Sequence, residues 1–301
     1  MATTTAGPVC VTGASGQAGR AVVRELTAHG YEVAPTDLSA TRSDLEAGML
    51  RADLTDYGQA LQALDGARAV VHLANIPAPG VCTAAVTYNT NVAMNFNVFH
   101  AAAKLRLRRV VWASSETTLG VPFGVGTSEM PFMEADGPAP RYAPVDEDHY
   151  PVSTTAYALS KVASETIAGE IAGWSGIPFV ALRLSNIFAV SDYAELPSVW
   201  ADPHLRKWNL WGYVDERDVA AACRLALEAP DEVVAGSPSF VIAAADTVMN
   251  RPSAALVAEV FPGVPLRREL RESESLLSSD RARQAIGYTP QHSWRDHVPA
   301  A

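Results

Sequence analysis

With 301 residues, 48% of them hydrophobic and 19% charged, the chain holds enough apolar material for one large α/β domain or a domain with a small appended lobe. A formal net charge of −10 leaves no basic face of the kind that binds nucleic acid. No run reaches the ~18 to 20 apolar residues of a bilayer span, so neither nucleic acid nor membrane is expected as a partner.

Cys10, Cys82 and Cys223 lie far apart, with no C-x-x-C pair and no metal-ligand spacing, the pattern of unpaired thiols in a reducing compartment. Residues 1–8 lack the basic and apolar segments of a secretory signal, so a cytoplasmic location is expected.

Val9, Cys10 and Val11 form a short apolar run typical of a strand buried on both faces. A Gly13-x-x-Gly16-x-x-Gly19 string follows at once, then a helical pattern through Val22, Val23 and Leu26 that Gly30 stops. Residues 31–36 give the next strand, ending on Asp37, and Asp53 with Leu54 and Thr55 closes a third. Buried strands at 69–74 and 110–113 are separated by a long helix over 84–105 with apolar residues on more than one face. A second long helix spans 156–174 and a sixth strand 179–184. This alternation means β-α-β units and a parallel sheet with right-handed crossovers.

The rhythm breaks over residues 120–155, which hold Pro122, Pro131, Pro138, Pro140, Pro144 and Pro151. So long a loop in a compact domain is more often functional than idle. Beyond Leu184 the pattern loosens, and a helix over 216–227 with a strand over 240–243 suggests a small C-terminal lobe. The expected architecture is a doubly wound parallel Rossmann sheet of about seven strands with a small C-terminal substrate lobe. Residues 1–185 form its cofactor-binding half with the catalytic helix, and 186–301 the lobe, interleaved with the last Rossmann elements.

The glycine string sits where phosphate binding needs it, between a buried strand and a helix. Lacking Cβ atoms, Gly13 and Gly16 let the backbone turn tightly towards a pyrophosphate, and Gly19 lets helix and strand pack closely. Ser15, Gln17 and Ala18 present their N–H groups at the positive end of the helix. Asp37, 18 residues past Gly19, can accept hydrogen bonds from the adenosine ribose and repels a 2′-phosphate, which favours NAD over NADP. Arg42 argues the other way. Asp53 can bind the adenine amino group or simply shape a turn.

Tyr157 and Lys161 stand at i and i+4 on one helix face. With 3 lysines and 9 tyrosines in the chain, chance yields only on the order of 0.1 such pairs. A nearby ammonium is expected to lower the phenol's pKa from its usual ~10 and prepare it for proton transfer. The strand over 110–113 runs into Ser114 and Ser115, whose hydroxyls can reach the same substrate oxygen.

On these residues the sequence resembles the extended short-chain dehydrogenase/reductase family, the NAD-dependent epimerase/dehydratase group, over essentially its whole length. The matching pieces are T-G-x-x-G-x-x-G at 12–19, D-L-T at 53–55, H-L-A-N at 72–75, the helix carrying Asn91, S-S-E-T-T-L-G at 114–120 and Y-x-x-x-K at 157–161. L-R-L-S-N at 182–186, Y-V-D-E-R-D-V-A at 213–220 and S-S-D-R-A-R-x-x-I-G-Y-x-P at 278–290 complete them. The resemblance implies a catalytic set of Ser115, Tyr157 as acid/base and Lys161 as ribose ligand and pKa modifier. It also implies a cofactor lining that includes Leu54, Leu73, Ala74, Asn75, Asn91, Ser185 and Ile187, with Asn186 near the substrate. A homodimer through a four-helix interface, made from the two long helices of each subunit, follows from it as well.

Two departures bear on the substrate. Leu119 stands where sugar-nucleotide epimerases carry a tyrosine, and only 26 residues, 187–212, separate Asn186 from Tyr213. So short a stretch leaves little chain for a second nucleotide site; its adjacent cations, Arg206 and Lys207, can equally be solvated. The pattern is closer to the uronate dehydrogenases and related sugar-acid oxidoreductases, although those often carry Asn where this chain has Glu116. A small polyhydroxylated substrate facing Ser115, Glu116, Thr117, Tyr157 and Asn186 is expected. The expected function is NAD-dependent oxidation or reduction at a secondary alcohol or ketone of a sugar or sugar acid. An epimerase with tightly held NAD is the alternative, and a non-catalytic NAD(P)-binding sensor a second one, which the retained Ser115, Tyr157 and Lys161 argue against. No metal is expected, and His72 and His100 are assigned structural roles. Trp200, Trp208 and Trp211 cover the core or stack on a sugar. Phe123, Met130, Phe132 and Met133 form a lid or cover sheet ends.

Overall fold

A computed structural model describes residues 7–39, 48–125, 137–149 and 153–298. Arg42, Met130, Pro131, Phe132, Met133 and Pro151 lie outside them.

The first half alternates strand and helix: β1 (Val9–Thr12), α1 (Gln17–Ala28), β2 (Val33–Asp37), β3 (Leu50–Arg51), α2 (Tyr57–Leu64), β4 (Ala69–His72), α3 (Ala84–Lys104) and β5 (Arg109–Ser115). Then come α4 (Ala156–Ser175), β6 (Phe179–Leu184), β7 (Ile187–Phe188), β8 (Val214–Asp215), α5 (Glu216–Glu228), β9 (Ser239–Ile242), α6 (Ser253–Val260) and α7 (Asp280–Ile286). Seven strands form one sheet in the order β3-β2-β1-β4-β5-β6-β9, and every pairing is parallel. The order reverses between β1 and β4, and ligands of open α/β sheets bind at the carboxyl ends of the strands beside such a reversal.

Burial on both faces explains the runs of Val, Ile and Leu in the central strands, which are inaccessible to solvent throughout β1 and β4. On one face α1 and α5 pack against each other, burying Val22, Leu26, Val219 and Cys223. On the other, α2, α3 and α4 cover Phe99, Trp112 and Phe179, whose rings meet edge to face. α1 ends as the sequence predicts, just before Gly30, whose φ of +79° suits glycine.

A third apolar cluster joins the start of the proline-rich segment (Leu119, Val121, Phe123) to Trp211, Tyr213 and Trp294 of the C-terminal part. Phe123 is fully buried here, as are Trp211 and, nearly so, Trp200. Those side chains are core, and only Trp208 of the tryptophan cluster faces a cleft.

The helix and strand expected over 216–227 and 240–243, now α5 and β9, are Rossmann elements interleaved with the lobe: α5 packs on α1, and β9 extends the main sheet beside β6 as its seventh strand. Phe240, Val241 and Ile242 are buried because the strand has cover on both sides. The lobe is left with β7, β8, three short 3-10 turns between them, α6 and the following loops. Among the described residues no helix is long and apolar enough to cross a membrane.

Candidate active site

A cleft of about 1120 Å³ runs along the carboxyl ends of the strands, slightly above the usual range of roughly 300–1,000 Å³ for small-ligand sites. Its outer end is the glycine turn. Gly13 adopts φ +68°, and a Cβ there would stand 2.7 Å from the Ala74 nitrogen. At Gly19 a Cβ would lie 2.1 Å from the Gly13 carbonyl oxygen, so only glycine permits α1 to sit this close to β1. The glycine cradle and the N-terminus of α1, with Gln17 in its first turn, together fit the pyrophosphate of a dinucleotide.

Asp37 closes β2 at the cleft wall. Its Oδ2 accepts a hydrogen bond from Ser15 N (2.8 Å) and its Oδ1 one from Ser39 N (3.0 Å), so the carboxylate also braces the glycine turn. Asp53 lines the cleft too, but it follows β3 rather than ending it. Its Oδ1 accepts from both the N–H and the hydroxyl of Thr55, which holds its carboxyl below the usual range. The turn-shaping role is therefore present in the fold, while Asp56 caps α2.

Ser15, Gly16, Ala18, Leu54, Leu73, Ala74, Asn75, Ser185 and Ile187 also reach the cleft. Asn91 does not line it. Buried on α3, it accepts from Ile76 N (2.7 Å) and donates to Ile76 O (3.1 Å), fixing the loop after β4 from behind. Four residues on, Asn95 extends this support: it accepts from Asn75 Nδ2 (2.9 Å), hydrogen-bonds His72 Nε2 (2.9 Å) and donates to Ser164 Oγ on α4 (2.7 Å). The i, i+4 spacing of two asparagines on one helix face was the available signal for it. Burial pushes the His72 pKa down to about 3, leaving a neutral ring bonded to Thr12.

The inner end gathers Ser115, Glu116, Thr117, Tyr157, Lys161 and Asn186. Ser115 is the last residue of β5 and caps the 3-10 turn Glu116–Leu119 by accepting from Thr117 N (3.2 Å). Ser114 also lines the cleft, with its hydroxyl donating to Glu165 on α4. The Thr155 hydroxyl accepts from Ala158 N and starts α4 there, which sets Tyr157 in the first turn beside Ser115, its hydrogen-bond partner. Lys161 Nζ lies 5.5 Å from the Tyr157 ring centre and donates to Ala113 O (2.7 Å) and Asn75 Oδ1 (3.1 Å).

The electrostatics reverse one expectation. Burial pushes the Tyr157 phenol up to about 12; the bond from Ser115 offsets part of this and the Glu116 carboxylate adds to it. Burial also pulls Lys161 down to about 7, Glu165 opposing it. Spacing along a helix announced the ammonium but not the desolvation, which here is the larger effect.

Glu116 is 4% exposed. Its carboxylate accepts from Ser185 Oγ (2.6 Å) and Asn209 Nδ2 (3.1 Å), yet burial still raises it to about 7. Arg206 is half-buried: its guanidinium lies over the Phe188 and Trp208 rings and donates from Nη2 to Asn186 Oδ1 (2.9 Å), while its Nε is buried without a partner. Among the described residues no three His, Cys, Asp or Glu side chains are grouped to hold a metal.

The sequence is 28% identical to the L-arabinose 1-dehydrogenase (NAD(P)(+)) of Haloferax volcanii over 188 residues, 62% of this chain and 70% of that one. It is also 28% identical to cinnamoyl-CoA reductase 1 of Arabidopsis thaliana over 288 residues, 89% of this chain and 78% of that one. A solved structure of a mutated uronate dehydrogenase shares the fold with a TM-score of 0.67, at 19% identity, covering 98% of this chain and 86% of that one. The sequence pattern of the NAD dependent epimerase/dehydratase family matches residues 9–243, from β1 through β9, the stretch that builds the sheet and the cleft. The chain therefore belongs to the NAD dependent epimerase/dehydratase family and is an NAD-dependent enzyme of the short-chain dehydrogenase/reductase kind.

Proposed function

We propose that the protein is an oxidoreductase that interconverts a secondary hydroxyl and its ketone on a small sugar or sugar acid. The observation that carries this is the convergence of Ser115, Tyr157 and Lys161 at the inner end of a cleft whose outer end is a glycine turn. NAD, when bound, supplies the hydride acceptor or donor.

The glycine turn with Gln17, and the residues from Asp37 to Asn75 along the cleft, hold the cofactor; Ser185 and Ile187 complete its lining. Ser115 donates to the substrate oxygen. Tyr157 takes the proton as a hydroxyl is oxidised and returns it in reduction, while Lys161 stabilises the phenolate once protonated. Glu116, Thr117 and Asn186 meet the remaining hydroxyls, and Thr117 Oγ1, buried without a partner, suits one of them. The substrate sits where residues 1–185 meet the lobe within 186–301. The kinship with an arabinose dehydrogenase supports a sugar. A sugar panel followed at the NADH absorbance tests the reading. Free NADH is expected; sugar interconversion without it points to an epimerase, and no turnover at all to a sensor.

Asp37 sets the cofactor preference in this reading. Wild type should bind NAD more tightly than NADP, and Asp37→Ala should reduce that ratio by about tenfold, the scale of one charge contact. It should also weaken NAD itself, because the braces to Ser15 and Ser39 go with the carboxylate. Titration of both cofactors decides it: equal binding by the wild type removes Asp37 from this role.

The location is cytoplasmic in this reading, and the working form is a homodimer. α3 and α4 lie side by side and leave Phe96 (45% exposed) and Trp174 (62%) on the surface, with His100 between them. An apolar stripe of this kind on a surface helix marks a partner. Sedimentation should show a dimer at micromolar concentration, and Trp174→Glu should shift it towards monomer. A wild-type monomer would count against the interface.

A further inference from the structure

Lys161 Nζ directs two of its three hydrogens into the protein, to Ala113 O (2.7 Å) and to Asn75 Oδ1 (3.1 Å). The second of these opens a chain of hydrogen bonds whose direction is fixed throughout. An ammonium only donates, so the oxygen of the Asn75 amide must face it. The amide nitrogen then points the other way, to Ala74 O and to Asn95 Oδ1 on α3 (2.9 Å from the latter). His72 Nε2 reaches that same Asn95 oxygen (2.9 Å), so it must carry a hydrogen, and its Nδ1 must accept one from the Thr12 hydroxyl (2.6 Å). The Thr12 oxygen accepts in turn from the backbone N–H groups of Leu73 (3.2 Å) and Ala74 (3.3 Å). Asn95 is also held from its other end: it donates to Ser164 Oγ (2.7 Å), which passes its own hydrogen to Ser160 O (2.7 Å). Thr12, His72, Asn95, Ser160, Ser164 and Lys161 are all buried.

We propose that Asn95 is a positioning residue for Lys161, fixing the Asn75 amide in the orientation that offers the ammonium an oxygen. The proposal rests on Lys161 acting beside Tyr157, as in the oxidoreductase reading. Asn75 is half-buried at the cleft wall, and both orientations of its amide have the same shape. Reversed, the amide would set donor against donor at Lys161 and acceptor against acceptor at Asn95. The buried chain thus disfavours reversal at both ends. An asparagine in mid-helix is a weak helix former, and its place on α3 is explained by the three polar partners it meets. The third Nζ hydrogen is left for the cleft, which Lys161 lines.

The charged and titratable groups that act on Lys161 are Tyr157 and Glu165 from α4 and His72 from β4. Burial, with the Lys161 charge adding to it, keeps His72 uncharged against the pull of Asn95, so the chain ends on a neutral ring. Burial opposes the ammonium of Lys161, and an acceptor oxygen at Nζ favours it. Loss of that acceptor therefore moves deprotonation of Lys161 to lower pH.

The chain has three lysines, so Lys161 can be followed by NMR in protein labelled with carbon-13 at lysine Cε. In a titration without substrate, Asn95→Leu should move the Lys161 midpoint to lower pH, as Asn75→Ala does. In the double variant Asn95→Leu should add nothing to Asn75→Ala, because its path runs through that amide. Where turnover is measured, each variant should lose about tenfold in kcat with KM little changed. An unchanged midpoint in a folded Asn95→Leu overturns the proposal. So does a shift that persists in full in the Asn75→Ala background, since that marks altered packing and not the amide. Should Asn95→Leu fail to fold, nitrogen-15 NMR of wild-type His72 decides. A neutral ring with its hydrogen on Nε2 is expected, and a hydrogen on Nδ1 or a charged ring at neutral pH breaks the chain and overturns the proposal. These NMR readouts need no sugar, so failure of the sugar reading is seen separately, as absence of turnover across the sugar panel.

Discussion

Replacing Tyr157 by phenylalanine is expected to leave the fold and NAD binding in place and to lower kcat by roughly 10² or more, the usual worth of a positioned acid/base. The ring is buried in the first turn of α4, so loss of one oxygen alters packing little and removes the hydrogen bond with Ser115. What disappears is the group that carries the proton. The same chemistry gives oxidation and reduction opposite pH trends. Burial holds the phenol at about 12, so its deprotonated fraction, which accepts the substrate proton, grows with rising pH. Oxidation should therefore speed up towards alkaline pH, and reduction, which needs the phenol protonated, should not. Initial rates in both directions with NAD titrations alongside check this; near-normal turnover of Tyr157→Phe would remove Tyr157 from the chemistry.

The parts legible in the sequence were those in which a residue type is forced by local geometry. Gly19 is one, because any Cβ there would strike the Gly13 carbonyl. The Tyr157 and Lys161 pair is another, because helix spacing alone puts the two on one face. The alternating apolar runs were legible for the same reason, since burial on both sides of a sheet leaves few residue types to choose from. What escaped notice depends on contacts between distant segments. Nothing near Arg206 in the chain says that Phe188 and Asn186 will hold it, and nothing near Asn91 says that it will brace Ile76 rather than reach the cleft. The patterns of β9 and α5 fit either the lobe or the sheet layers, and pairing with β6 and packing on α1 decide it. The Tyr157 phenol went wrong through desolvation, which belongs to the assembled fold and not to any spacing.

Arg109 shows how costly such a hidden contact is to lose. It opens β5, is 1% exposed, and was unremarkable in the sequence beside Arg106 and Arg108. In the fold its Nη1 donates to the carbonyl oxygens of Ala226 (2.8 Å), Leu227 (3.0 Å) and Ala229 (2.7 Å), the unsatisfied end of α5. Its Nη2 pairs with Asp231. A helix C-terminus carries partial negative charge, so one buried guanidinium serves both its hydrogen bonds and its dipole. Arg109→Ala should destabilise the protein by about 3–5 kcal/mol, since three carbonyls lose their donor and a cavity opens under the sheet. Asp231→Ala should cost no more than about 1 kcal/mol, because that carboxylate is 60% exposed and its pairing is screened by water. The contrast separates helix capping from ion pairing. Urea unfolding of both variants measures it, and equal losses in the two would mean that the salt bridge, not the capped carbonyls, is what Arg109 contributes.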